Sequence, residues 1–211
     1  MRITTLLAGA AMAVVATSAA YAGTPALSFS DTSASTLGNP PFTLGWQFDV
    51  LSAINVDALG VYDQDGDGLA DRYDIGIWDN SNNLMVSATL GSGTSGTLID
   101  KVRYVDVSPV TLAAGTYFIG ALYATGDDPV VFPGSGDTIS TISQVHYVGA
   151  TYAGGGSLSD PTNPFSNNGF YGPDFTASGA VPEPAAWALM LTGFFGAGTA
   201  LRASRRRTAV A

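Results

Sequence analysis

The chain has 211 residues, 8 basic against 17 acidic, and no cysteine. That length fits one domain with appendages, and zero cysteines exclude a disulfide framework, a thiolate metal site and a cysteine nucleophile. A net charge of −9 argues against a nucleic-acid partner, since phosphate binding needs a clustered basic face.

The charge is segregated along the chain. All sixteen aspartates lie between Asp31 and Asp174, among only Arg72, Lys101 and Arg103, so this middle carries −13. Arg2 stands at one end and Arg202, Arg205, Arg206 and Arg207 at the other, with the lone glutamate, Glu183, near them. Three pieces with different jobs are expected.

Residues 1–22 read as a secretory signal peptide. Arg2 supplies the positive start, Leu6 to Ala16 an apolar stretch, and Ala20-Tyr21-Ala22 places small residues where signal peptidase inspects them. Cleavage is expected before Gly23, which makes the protein an exported one.

Residues 23–180 read as one all-β domain, a single antiparallel sandwich of jelly-roll-like form. Thr43 to Val50 alternates so that Leu44, Trp46, Phe48 and Val50 share a face. Asn55 to Tyr62, Asp74 to Trp78, Leu84 to Leu90 and Asp100 to Val107 give further strands, at the spacing of sandwiches and barrels. Thr111 to Tyr117 reads as a turn feeding a strand through Phe118, Ile119, Leu122 and Tyr123. Thr138 to Tyr147 reads as a pair of short strands. No stretch of the middle sustains a 3.6-residue period, so helices are expected to be brief or absent. Residues 154–168 are rich in glycine, serine and asparagine and read as a flexible surface loop or spacer.

The sharpest local motif is the twelve-residue stretch from Asp63 to Asp74. Asp63, Asp65, Asp67, Asp71 and Asp74 occupy positions 1, 3, 5, 9 and 12, and Gly68 holds position 6. That is the spacing of a calcium loop, with Leu69 offering its carbonyl. Aspartate at position 12 reaches less far than the usual glutamate, and the flanks read as strands rather than helices. The plain alternative is a solvated connection, because aspartate and glycine are favoured turn residues. Calcium is thus the one cofactor that the sequence admits.

Residues 181–211 begin with Val181-Pro182-Glu183-Pro184, where two prolines enforce an extended, accessible stretch. Ala185 to Leu201 follows without a charge, a transmembrane helix of about 25 Å at 1.5 Å per residue. The arginine cluster after it would stay on the cytoplasmic side. Pro182-Glu183-Pro184, Trp187-Ala188-Leu189-Met190, Gly193-Phe194-Phe195-Gly196 and the arginine run together resemble the PEP-CTERM sorting signal of exopolysaccharide-producing Gram-negative bacteria. The resemblance implies processing near Pro182-Glu183-Pro184 by an exosortase, an intramembrane cysteine protease.

A second resemblance covers Leu44 to Ala124. Leu44-Gly45-Trp46-Gln47-Phe48, Ala58-Leu59-Gly60-Val61-Tyr62-Asp63, Gly76-Ile77-Trp78-Asp79 and the Leu112 to Tyr117 turn are similar to an extracellular β-sandwich module common in PEP-CTERM proteins. It implies a fold and no activity.

Catalytic signals are thin. His146 is the single histidine, no nucleophile-elbow pattern frames a serine, and sixteen aspartates make any chosen carboxylate pair arbitrary. The expectation is a non-enzymatic exported protein, held briefly in the inner membrane and sorted to the cell surface or exopolysaccharide matrix. Its partners would be an exosortase-like enzyme and, at its destination, exopolysaccharide. Two alternatives stand beside it. One is a calcium-stabilised carbohydrate-binding module, which would stack sugars on exposed aromatics. The other is a secreted hydrolase, which would need a polar cleft with perturbed carboxylates.

Overall fold

A computed structural model of the chain describes residues 23–30, 34–36, 40–132, 138–165 and 169–179. The expected signal peptide with Ala20 and Ala22, and the expected sorting tail with Pro182, Glu183, Pro184 and the arginines, lie outside the described residues.

The described residues form strands and connections, with no helix among them. Three short strands come first, β1 (Thr24–Pro25), β2 (Leu27–Phe29) and β3 (Ala34–Ser35). Four longer ones follow, β4 (Phe42–Val50), β5 (Ile54–Tyr62), β6 (Tyr73–Asp79) and β7 (Leu84–Leu90). Then come β8 (Thr97–Ile99), β9 (Val102–Leu112), β10 (Gly115–Tyr123), β11 (Val130–Val131) and β12 (Ile139–Thr141). The last are β13 (Val145–Gly154), β14 (Asn163–Pro164) and β15 (Pro173–Gly179).

Two sheets dominate. One has the order β1-β15-β5-β9-β8 and the other β14-β13-β4-β10-β6-β7, with every pairing antiparallel. Two small pairs, β3 with β11 and β2 with β12, stand apart from them. One apolar core joins inward residues of both sheets, the arrangement of a sandwich.

The alternation of β4 sets that core. Leu44, Trp46, Phe48 and Val50 are all buried, as their shared face predicts. Trp46 also reaches across the gap: its indole Nε1 donates to the Pro173 carbonyl oxygen at 2.8 Å, and its ring stacks on Phe175 at 5.9 Å. Pro173 and Phe175 belong to β15 of the facing sheet. A hydrogen bond and an aromatic pair contribute about 0.5–1.5 kcal/mol each beyond the buried area.

On β5 the register slips at Asp57, against both β15 and β9. Ile54 and Val56 enter the core before the slip, and Leu59 and Val61 after it. One extra residue reverses the parity of a strand, and here it leaves Asp57 outside the ladder.

The expected strands are present, and three features differ from expectation. β15 lies second in its sheet, yet its sequence opens on a proline and shows no alternation. Its residues from Pro173 to Ala177 are buried on both faces, which erases the period-2 signal. β13 runs ten residues rather than forming a short strand, because its full length pairs with β4 around a bulge between Tyr147 and Gly149. Of the segment expected as a flexible loop at 154–168, residues 154–165 are described and pack on the sheet. Ser159 N donates to Thr43 Oγ1, β14 pairs with β13, and Pro161 sits above Gly120, where a Cβ would come within 3.0 Å of it. Thr43 and Gly120 thus take an overlay that composition alone did not reveal.

Candidate functional site

The acidic loop between β5 and β6 is built around a cation supplied by the protein. Asp63, at its first position, is buried and meets Arg103 of β9: Nη2 lies 2.6 Å and Nε 2.8 Å from its Oδ2. Its other oxygen accepts the backbone N–H groups of Gly66 and Gly68, at 3.1 and 3.4 Å. Arg103 Nη2 donates to the Gly66 carbonyl as well, so one guanidinium holds both carboxylate and loop. Gly68 adopts φ +123° against the backbone of Gly93, a close approach only glycine permits.

The other expected ligands go elsewhere. Asp65 and Asp67 are exposed. The Leu69 carbonyl accepts the Gly93 N–H at 2.7 Å. Asp71 accepts the Thr125 hydroxyl, while Asp74 lies on β6 between Arg72 at 3.1 Å and Thr89 at 2.6 Å. Five carboxylates spaced for calcium are therefore not gathered round one point. Among the described residues no three His, Asp or Glu side chains form a group that could hold a metal ion.

Two further carboxylates do the local holding, and no local sequence pattern marks either. Asp128, buried in the connection after β10, accepts the N–H groups of Ala70 and Asp71 and the Tyr73 hydroxyl, the last at 2.7 Å. Asp174 of β15 is completely enclosed; Oδ1 accepts the Leu27 N–H at 3.2 Å and Oδ2 the Tyr104 hydroxyl at 2.7 Å. Burial pushes the Asp174 carboxyl up to about 8, against the pull of those hydrogen bonds. Burial likewise raises the Tyr73 and Tyr104 hydroxyls, and the carboxylates beside them add to it.

Asp160, in the overlay above the six-stranded sheet, has both carboxylate oxygens shut off from solvent and without a partner among the described residues. Burial, then the charge of Asp79, pushes it up to about 6. These two perturbed acids are packed away rather than presented in a cleft. His146 is exposed on β13, 3.8 Å from Asp49, whose other oxygen accepts the Thr116 hydroxyl at 2.7 Å. The carboxylate stands between hydroxyl and imidazole, the reverse of a base-activated nucleophile.

Trp46 and Trp78 are both buried. Tyr152, Phe165 and Phe170 pack against one another, with Phe165 and Phe170 only 4.4 Å apart, and Tyr171 is buried. The exposed large apolar side chains among the described residues are Leu51, Leu84, Leu98 and Val148, all aliphatic. The stacking platform that a carbohydrate-binding module would use is not found among them.

Comparison with protein-family models, curated proteins and solved structures gives no match to this chain. Among the described residues no helix is long and apolar enough to cross a membrane.

Removing the Arg103 guanidinium leaves a buried, uncompensated charge. Arg103→Met is expected to cost about 3–5 kcal/mol in urea unfolding. The loss should read the same in millimolar calcium and in chelator; full rescue by calcium would mean that a metal ion can replace the guanidinium.

The Asp174 carboxyl holds its proton more tightly in the fold than in the unfolded chain. The folded state therefore binds the extra proton between about pH 4 and about 8, and stability falls as pH rises through that window. Asp160 adds to the same fall between about pH 4 and about 6. The melting temperature is expected to be higher at pH 5 than at pH 8. Asp174→Asn keeps an acceptor for Leu27 and should flatten most of that slope; a variant with the wild-type slope would contradict this.

Proposed function

We propose that this is a non-enzymatic exported protein, a jelly-roll-like β-sandwich carried out by residues 1–22 and sorted through a PEP-CTERM-type tail at residues 181–211. The observation that carries the reading is the pairing of β1 with β15. Thr24 stands opposite Ala177 and Pro25 opposite Thr176, so the two ends of the domain leave side by side. The candidate cleavage point before Gly23 adjoins β1, and Pro182-Glu183-Pro184 follows the end of β15 by three residues. Leader and tail would both address the inner membrane, and a domain whose ends meet at one corner can hang from either.

Other features agree with it. The strand orders β1-β15-β5-β9 and β4-β10-β6-β7 interleave as nested Greek keys do, which supports the jelly-roll form. A stretch at −13 keeps a secreted surface soluble and monodisperse. The positive charge sits mostly in segments that processing removes.

The chemistry assigned to the tail is recognition. Pro182-Glu183-Pro184 would be the stretch read by an exosortase-like enzyme, and Arg202, Arg205, Arg206 and Arg207 would keep the far end inside. The destination is the cell surface or the exopolysaccharide matrix. In a producing strain, fractionation should place the protein outside the inner membrane. Deleting the processing enzyme, or Glu183→Ala, should shift most of it to the membrane fraction. Unchanged distribution in both would overturn the sorting route.

A further inference from the structure

Asp57 is the one residue of β5 that the register slip leaves outside the ladder. Its Oδ2 is shut off from solvent and has no hydrogen-bond partner among the described residues. An ionised carboxylate in that position calls for a donor. Cations are scarce: residues 23–180 contain only Arg72, Lys101 and Arg103, and two of these face Asp74 and Asp63.

Gly23 lies against this carboxylate. A Cβ built on Gly23 would fall 2.9 Å from Asp57 Oδ2 and 2.8 Å from Thr176 Oγ1. For carbon those distances are clashes, so no side chain fits. For nitrogen they are hydrogen-bond lengths. The α-nitrogen is bonded to the same Cα at about 1.46 Å, nearly the length of a Cα–Cβ bond. While Ala22 is attached, the preceding chain fixes where that nitrogen points. Once the peptide before Gly23 is cut, rotation about the Cα–C bond of Gly23 is free to carry the nitrogen into the Cβ direction. The group that arrives is then an ammonium with three donors, where before it was an amide with one. Thr176 Cβ, also 2.9 Å from that point, needs only a small shift.

We propose that Asp57 and Thr176 form a receptor for the protein's own new N-terminus: cleavage before Gly23 creates an α-ammonium that docks on the Asp57 carboxylate and locks β1 onto β15. The proposal rests on the cleavage site assigned above and adds a consequence to it. The leader does more than address the chain, because its removal supplies the missing donor. Glycine at position 23 serves as the residue that can turn without a side chain in the way. Docking also steadies the corner from which the sorting tail departs, since β1 is the neighbour of β15 there.

The test uses the full chain exported and processed in cells. Mass spectrometry of the N-terminus first reports where cleavage falls; a start other than Gly23 overturns both the cleavage site and the proposal. Four proteins are then melted: wild type, Asp57→Asn, a chain with one alanine inserted between Ala22 and Gly23, and the two changes together. The insertion leaves Asp57 intact but moves the ammonium one residue away. With Gly23 at the N-terminus, Asp57→Asn should lower the melting temperature by about 3–6 °C, and the insertion alone should do the same. In the inserted chain, Asp57→Asn should cost little more. Correct cleavage with Asp57→Asn equally damaging in both backgrounds, or harmless in both, overturns the docking and leaves the export route standing. Should Asp57→Asn fail to fold, the insertion alone decides: an unchanged melting temperature sinks the proposal.

Discussion

The reach of Trp46 across the core is the interaction on which the rest of the architecture hangs. Its ring stacks on Phe175 and its indole nitrogen holds the carbonyl of Pro173, so the six-stranded sheet grips β15 of the facing sheet at a fixed height. β15 in turn sits between β1 and β5. It presents Asp174 to Leu27 and Tyr104, Thr176 to Gly23, and its own end to the tail. An apolar residue of Trp46's size would fill the same space, but it would leave a buried carbonyl unpaired. The two sheets could then slide, and the corner where β1 begins and β15 ends would lose its anchor.

A second constraint is the surplus of acid. Sixteen aspartates with three cations among them cannot be balanced by ion pairs, and the fold uses other means. Arg103 is spent on Asp63. Backbone N–H groups and tyrosine hydroxyls satisfy Asp128 and Asp174, and burial raises the proton affinity of Asp174 and Asp160. Asp65, Asp67, Asp100, Asp106 and Asp127 face solvent. Acidity in this protein is therefore both a property of its surface and an internal device for pinning backbone. The acidic loop illustrates the difference: calcium-like spacing in the chain becomes, in space, an arginine-centred turn.

How much of this the residues disclosed follows from what burial does to pattern. β4 was legible because one face is core and the other is not, which leaves alternation in the sequence. β15 was illegible because both of its faces are covered and it opens on proline. The overlay at 154–165 was hidden for another reason: glycine, serine and asparagine read as a loop, and only the small residues beneath it, far away in sequence, let Pro161 and Ser159 settle. Arg103 could have been suspected as one of three cations amid sixteen aspartates. Nothing local marked Asp128 or Asp174, whose partners lie 55 to 147 residues distant.

Under the proposed route, a domain whose first and last strands pair would be flanked by a leader before Gly23 and a sorting motif after Gly179, and maturation at both ends would happen at one place. The intact mass of the protein collected outside producing cells tests this most directly. The predicted species begins at Gly23 and ends before Trp187. A released species that still carries residues 1–22, or that retains Trp187 and the arginine run, would contradict it.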